Sequence, residues 1–434
     1  MMGRHSIVST MDLTAEESAM LRGERGEALR LSMSILARLG RLYGAARLVP
    51  IALAHVDACL FHQEAWLEFA ERLVAGGARV AVPTTLNVGA RDQARWREMR
   101  TPQALAEKSR RLEECYAAMG CRPTWTCAPY QDEETLPRFG EHCAIAESNA
   151  IAFANTVLGA RSERYGDFVD IAAAVAGRVP LFGLHTDEGR RGEIVLRLRD
   201  LPPEVFDDES FYPVLGYAAG AVAGSRVPVI VGFPPGVRAT RDRLKAFCAA
   251  IASSGAIGLA HVVGVTPEAP SLEAALGGAV APETRPIDLR DLRRVRRGLS
   301  TTSRKTFELL CLGSPHFSVE ETRRLVAALA GRRIHASITA WVFTSRAVRE
   351  AIAASGDLAL LEESGVRVFT DTCAVVTSLS GWKFRTMMTN SAKFAHYAWP
   401  TSGLEVVFAR LEDCVESSVE GKVVFGREEL WRDS

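Results

Sequence analysis

No two cysteines in this chain are spaced Cys-x-x-Cys and no two histidines His-x-x-x-His, so the short ligand spacings that announce most zinc and many cluster sites are missing. Nor does any apolar run reach the ~18 residues of a membrane span, which argues against a membrane protein. The first residues carry Arg4 and His5 but no apolar core of the length a signal peptide needs, so a cytoplasmic location is expected by default. Net charge is also lacking, because 52 basic side chains cancel 52 acidic ones; this gives no support to a nucleic-acid partner. Internal repeats and low-complexity tracts are absent from the sequence. The nine cysteines are uneven and too sparse for a disulfide framework in 434 residues, which suits a reducing compartment.

What is present is the composition of an ordinary globular protein, 47% hydrophobic and 24% charged. The length allows several domains with sizeable cores, and we divide it at 1–130, 131–300 and 301–434, with Gly277 to Arg297 as the main boundary. Thr14 and Glu17 have the spacing of a capping box, ahead of helical periodicity from Glu16 to Leu39. Strands are expected at Leu48–Ala54, Arg79–Val82, Pro123–Thr126, Ile194–Leu198, Val227–Val231, Ile257–Ala260, Phe307–Leu310, Ile334–Val342, Val366–Phe369, Val406–Phe408 and Val423–Phe425. Helices are expected at Glu64–Val74, Gln103–Met119, Arg241–Ala252 and Ala347–Leu361, with Ser318 and Glu321 as a second capping box. Alternating strands and helices without repeats imply an α/β fold: several α/β/α domains with mainly parallel sheets around a central cleft.

In such sheets ligands gather beyond the carboxyl ends of strands. Cys127, Cys311 and Cys373 each follow an apolar run, which suggests one iron–sulfur site assembled from remote segments; three unrelated core cysteines are the alternative. Cys121 and Cys143 stand in reserve as ligands. The other four, Cys59, Cys115, Cys248 and Cys414, read as small core residues. The loop holding Thr84, Thr85 and Asn87 follows a strand and is a candidate substrate contact. Glu147, Ser148, Asn149 and Asn155 lie on an alanine-rich helix, so they either bind one another or face a polar ligand. Arg161 has the planar fork suited to a carboxylate or phosphate. His55, Asp57, His261, His316 and Glu147 are candidate proton carriers, with His261 expected near the same cleft. Lys393, after Asn390 and Ser391, is either a ligand-binding cation or a surface lysine at a helix start.

The segments Val82-Pro-Thr-Thr-Leu-Asn87, Thr126-Cys-Ala-Pro-Tyr130, Ala146-Glu-Ser-Asn-Ala150, Val157-Leu-Gly-Ala160, Gly264-Val-Thr-Pro-Glu268, Cys311-Leu-Gly-Ser-Pro-His316, Asp371-Thr-Cys373 and Thr389-Asn-Ser-Ala-Lys-Phe-Ala-His-Tyr397 together resemble the large catalytic subunit of the aconitase X family, in the same order from Leu13 to Gly421. That resemblance implies an aconitase-like fold and a hydro-lyase. Its reaction would be dehydration of cis-3-hydroxy-L-proline to a pyrroline-2-carboxylate, or, as the alternative, of mevalonate 5-phosphate. It also implies an iron–sulfur cluster on Cys127, Cys311 and Cys373, with 2Fe-2S placed ahead of 3Fe-4S or 4Fe-4S. Lys393, Asn390, Ser391, Thr84, Thr85 and Asn87 would then bind the substrate carboxylate. Relatives take a serine base from a small swivelling domain; its counterpart here is expected to be a separate small subunit. Cys143 and Ile145 depart from the family pattern. A non-catalytic iron–sulfur or scaffold subunit and a zinc hydrolase are the competing classes. The first would scatter Asn87, Asn149, Ser391 and Lys393 over the surface, whereas a dehydratase would gather them at one cleft.

Overall fold

The computed structural model describes residues 11–280, 283–426 and 429–431. The leader reading at residues 1–10 falls outside them. Among the described residues, three parallel sheets organise the chain. The first has the order Thr84–Leu86, Leu53–Val56, Cys143–Ile145. The second runs His261–Val262, Pro228–Val231, Ile194–Leu198, Thr284–Ile287. The third is the largest, with Val366–Phe369, Thr339–Thr344, Leu309–Phe317, Thr386–Thr389 and Glu405–Phe408 side by side. An antiparallel pair, Leu48–Pro50 with Arg178–Pro180, completes the pattern. This is the expected α/β architecture with mainly parallel sheets.

Helices cover these sheets, and their starts follow the sequence. Thr14 and Ser318 each make the reciprocal capping box with the glutamate three residues on. The Gln103–Ala118 and Arg241–Ser254 helices lie where periodicity puts them. Two long helices are each broken in two. The first splits at Gly23 and Gly26, both with positive φ, into Ala15–Arg22 and Glu27–Leu42; the other splits at Gly356 into Arg346–Ala354 and Asp357–Glu363. The expected boundary ends in a capped helix, Leu289–Gly298, with Leu292 buried, Arg290, Arg294 and Arg297 exposed, and Arg293 and Arg296 half-buried against Leu430 and Trp431. Among the described residues no helix is long and apolar enough to cross a membrane.

Several strand expectations shift. Arg79–Val82 is irregular, and the ladder forms at Thr84–Leu86 instead. Val423–Phe425 is not a strand, and Ile257–Ala260 precedes the strand rather than forming it. Pro123–Thr126 is a loop with Trp125 at φ 46, so Cys127 does not end a strand. Cys311 lies inside its strand, not at the end. The division at residue 130 separates segments that pair: Cys143–Ile145 joins the first sheet and Arg178–Pro180 pairs with Leu48–Pro50.

Candidate active site

The three strands of the first sheet run parallel with Val56 opposite Leu86 and His55 opposite Ile145. Their carboxyl ends therefore deliver Asp57, Asn87 and Glu147 to one edge. The third sheet faces that edge, with Cys373 four residues beyond the Val366–Phe369 strand and Lys393 four beyond Thr386–Thr389. Between them lies a cavity of about 940 Å³ lined by Asp57, Asn87, Cys127, Glu147, Ser148, Cys373 and Lys393, closed on one side by the loop from Ala374 to Ser380, with Trp382, Phe384 and Tyr397 at the wall. The strand ends of the second sheet contribute nothing to this lining.

Lys393 is buried in the first turn of the Ala392–Ser402 helix, where the helix dipole disfavours a cation. Its ammonium bonds the Glu147 carboxylate across the cavity wall. Burial alone would lower its pKa, but Glu147 and the Cys127 and Cys373 sulfurs outweigh burial and hold it up. Glu147 in turn caps the Ser148–Thr156 helix, accepting from Ala150 N at 2.8 Å and from Asn149 Nδ2. Asn149 donates to the Cys127 carbonyl at 3.0 Å and accepts from the Tyr130 hydroxyl at 2.6 Å. A buried lysine beside a buried carboxylate is costly to desolvate, so a pair kept at a cavity wall points to function more than to stability.

Cys127 and Cys373 sit side by side with Val88. The Cys127 thiol donates to Cys373, whose pKa is lowered by that bond, by Lys393 and by the Val375 and Val376 backbone N–H groups, against burial. Burial, with the Cys373 contact, pushes Cys127 up. Cys311 is buried behind them, its thiol pushed up by burial and then by the charge of Cys373. Thus three sulfurs come from three remote segments, Cys373 pushed down and Cys127 and Cys311, both within electrostatic reach of it, pushed up. This soft-donor set suits iron or an iron–sulfur cluster. Among the described residues, no three or more His, Cys, Asp or Glu side chains converge as they would around a bound ion.

Asn87 bonds Asp57 through its Nδ2, while its Oδ1 is buried without a partner. Asp57 is pushed up to about 8, first by burial and then by Asp167, with Asp170 and Glu147 adding and Asn87 opposing. Asp170 accepts from the backbone of Asp57 and Ala58 at 2.7 and 3.0 Å. His55 lies behind the wall, its Nδ1 on Thr85 Oγ1 at 2.8 Å and its Nε2 unpartnered; burial lowers it to about 4. His316 is lowered to about 4 by burial.

Other candidates stand back from the cavity. Thr84 and Thr85 turn their hydroxyls to backbone carbonyls, of Val82 and Ala54. Ser391 caps its helix through Phe394 N at 3.0 Å and bonds the Ser314 carbonyl; Asn390 is half-buried and does not line the cavity. Asn155 binds backbone at Ile151, Ser162 and Gly258. Cys143 donates to the Arg161 carbonyl, and Cys121 packs in the first-unit core. Arg161 and His261 line a different groove of about 320 Å³, with Arg190 and Glu268. The expectation that His261 neighbours the cleft fails because its strand belongs to the second sheet. Tyr130 belongs to the Thr126–Tyr130 motif but was given no role there, and the Val375–Thr377 loop had no signal in the sequence beyond its nearness to Cys373.

Family models described as Aconitase X first, second and third domain match residues 10–188, 192–297 and 307–420. The chain is 44% identical to cis-3-hydroxy-L-proline dehydratase of Pseudomonas aeruginosa over 94% of its own length and 70% of the relative's. It is 39% identical to the phosphomevalonate dehydratase large subunit of Methanothermobacter thermautotrophicus, over 92% of this chain and 97% of that one. A crystal structure of Thermococcus kodakaraensis aconitase X in its holo-form superposes with a TM-score of 0.84 at 34% identity, covering 94% of this chain and all (100%) of that one.

Proposed function

The chain belongs to the aconitase X family, and from that premise we propose that it is an iron–sulfur-dependent dehydratase that eliminates water from cis-3-hydroxy-L-proline to give a pyrroline-2-carboxylate. The observation that carries this reading is a single cavity in which the Cys127 and Cys373 sulfurs share a wall with the Lys393–Glu147 pair and with Asp57 and Asn87. Cys127, Cys373 and Cys311 would hold the cluster, whose iron supplies Lewis acidity toward the departing hydroxyl. Lys393 presents a fixed positive charge for the substrate carboxylate, and Glu147 keeps that charge aimed. Asp57, whose carboxyl holds a proton, and Asn87 add polar groups at the same wall.

That charge distribution supports the amino acid over mevalonate 5-phosphate. The described residues lining the cavity include one lysine, Lys393, already paired with Glu147, and no arginine, and Arg161, the expected phosphate fork, is occupied by Asp187 in the other groove. Burial of Asn87, Asn149, Ser391 and Lys393 at or behind one wall likewise favours a catalyst over a scaffold. A separate small subunit is proposed to bring the base for the α-proton. In support, the chain spans about 97% of a relative whose name says large subunit, but 70% of the bacterial dehydratase.

The test is anaerobic purification with a candidate small subunit, iron and sulfide analysis, and an assay on both compounds. Dehydration of cis-3-hydroxy-L-proline is expected. A complex that holds iron yet leaves it untouched overturns the reading. Cys311→Ser is expected to lower iron content sharply; unchanged iron removes Cys311 from the ligand set.

A further inference from the structure

Four segments remote in sequence meet at His316, which is wholly buried. Its ring Nδ1 lies 3.1 Å from Thr126 Oγ1 and its Nε2 lies 2.8 Å from the Thr372 carbonyl oxygen. Its backbone N–H points at the Cys127 sulfur at 3.3 Å. Its own carbonyl accepts from Gln131 Nε2 at 2.9 Å and from Lys245 Nζ at 3.1 Å. A carbonyl oxygen can only accept, so Nε2 carries the ring proton and Nδ1 accepts from the Thr126 hydroxyl. Thr126 immediately precedes Cys127, and Thr372 immediately precedes Cys373. The ring is therefore a strut between the two thiol-bearing loops.

The strand is shaped to deliver it. Register breaks between Leu312 and Phe317, and Gly313 sits at φ 93, where a Cβ would run into the Phe343 carbonyl oxygen. Such a bulge re-aims the residues that follow it. Lys245, on the Arg241–Ser254 helix and held by Asp242 and Glu321, then pins the His316 carbonyl.

We propose that His316 is a positioning residue that fixes the separation and aim of Cys127 and Cys373, so that metal binding by the pair depends on its bridge from Thr126 to Thr372. This rests on the reading that those thiols hold metal. Residues that orient ligands without touching the ion typically govern metal affinity by ~10–100-fold.

The full-length apo chain is titrated anaerobically with cobalt(II) alone, whose thiolate charge-transfer absorption reports sulfur ligation. Wild type is expected to develop the band and Cys373→Ser to lose most of it. His316→Ala should weaken cobalt binding ~10–100-fold, and His316→Gln, whose amide can still donate to the Thr372 carbonyl, should recover part of the loss. Thr126→Val should weaken binding by a smaller factor, and Thr126→Ser, which keeps the hydroxyl, should restore it. Because Thr126 Oγ1 also accepts from Ala128 N at 3.1 Å, the Thr126→Val loss belongs to the bridge when it disappears in the His316→Ala background, which a histidine serving the fold alone would not produce. Unchanged cobalt affinity in a folded His316→Ala, or in Thr126→Val, overturns the proposal; where His316→Ala does not fold, the Thr126 variants decide. A wild-type chain with no thiolate band overturns the metal reading and the strut with it.

Discussion

The cavity and the groove around Arg190 are built from similar parts, and they differ in how fully those parts are used. Each has a buried ion pair and a buried imidazole with one unpartnered nitrogen, His55 Nε2 in the first and His261 Nδ1 in the second. In the groove, all three guanidinium nitrogens of Arg190 are engaged. They hold both oxygens of Glu268 at 2.8–3.0 Å, Asn155 Oδ1 at 2.8 Å, and the carbonyls of Leu184 and Asn155. In the cavity, Lys393 bonds Glu147 and turns toward two sulfurs and open space. A saturated charge holds a fold together, whereas an unsaturated one beside a cavity is available to a ligand.

The largest effect should come from the saturated side. Arg190→Leu leaves Glu268 and the Asn155 carbonyl without their donor, so a loss of ~3–5 kcal/mol is expected in denaturant unfolding, with turnover per folded molecule retained. A small loss of stability with lost turnover would invert the comparison. Next is Lys393→Met. Glu147 keeps its donors Ala150 N and Asn149, so stability should fall less than in Arg190→Leu, while kcat/KM, assayed with the partner subunit, should fall ~10²–10³-fold. A variant that unfolds as badly as Arg190→Leu but turns over normally when folded would make Lys393 structural.

A smaller effect depends on pH. Asp57 titrates at an ordinary 3.8 when exposed and at about 8 here, so the folded state holds a proton that the unfolded chain has released. The associated stability is complete below the unfolded value and is lost as pH rises through the folded one. Asp57→Asn has no such proton. From about pH 5 to about pH 9 the melting temperature should therefore fall further in wild type than in the variant. A constant difference between the two would remove Asp57 as the source. The smallest effect is at Arg161→Gln. Its partner Asp187 is 83% exposed, so a change within ~1 kcal/mol and an unaltered reaction are expected. A large drop in activity would tie the groove to the reaction.

Local chemistry made much of the fold legible in the sequence. The strand at Val366–Phe369 and the capping boxes at Thr14 and Ser318 depend on neighbours within a few residues, and they lie where the pattern puts them. Errors came where a long-range partner decides. Thr84–Leu86 rather than Arg79–Val82 becomes the strand because it pairs with Ala54–Val56, and Trp125 takes a positive φ where alternation suggested extended chain. In the site, residue type and nearness to a strand end singled out Cys127, Cys373, Asn87, Glu147 and Lys393, which do line one cavity. The same reasoning admitted Arg161 and His261, because a single chain does not reveal which sheet a strand joins. The bridge at His316 was equally hidden, since its partners lie 190 and 56 residues away.

The cavity wall runs in sequence from Asp57 to Leu404. During synthesis the third sheet cannot close until its last strand, Glu405–Phe408, has left the ribosome. A nascent or truncated chain would thus carry the first-unit residues without the second thiol or the lysine. Whatever the cavity binds through both thiols and the lysine has to arrive after residue 393 has been made, which places loading later than the folding of the first sheet.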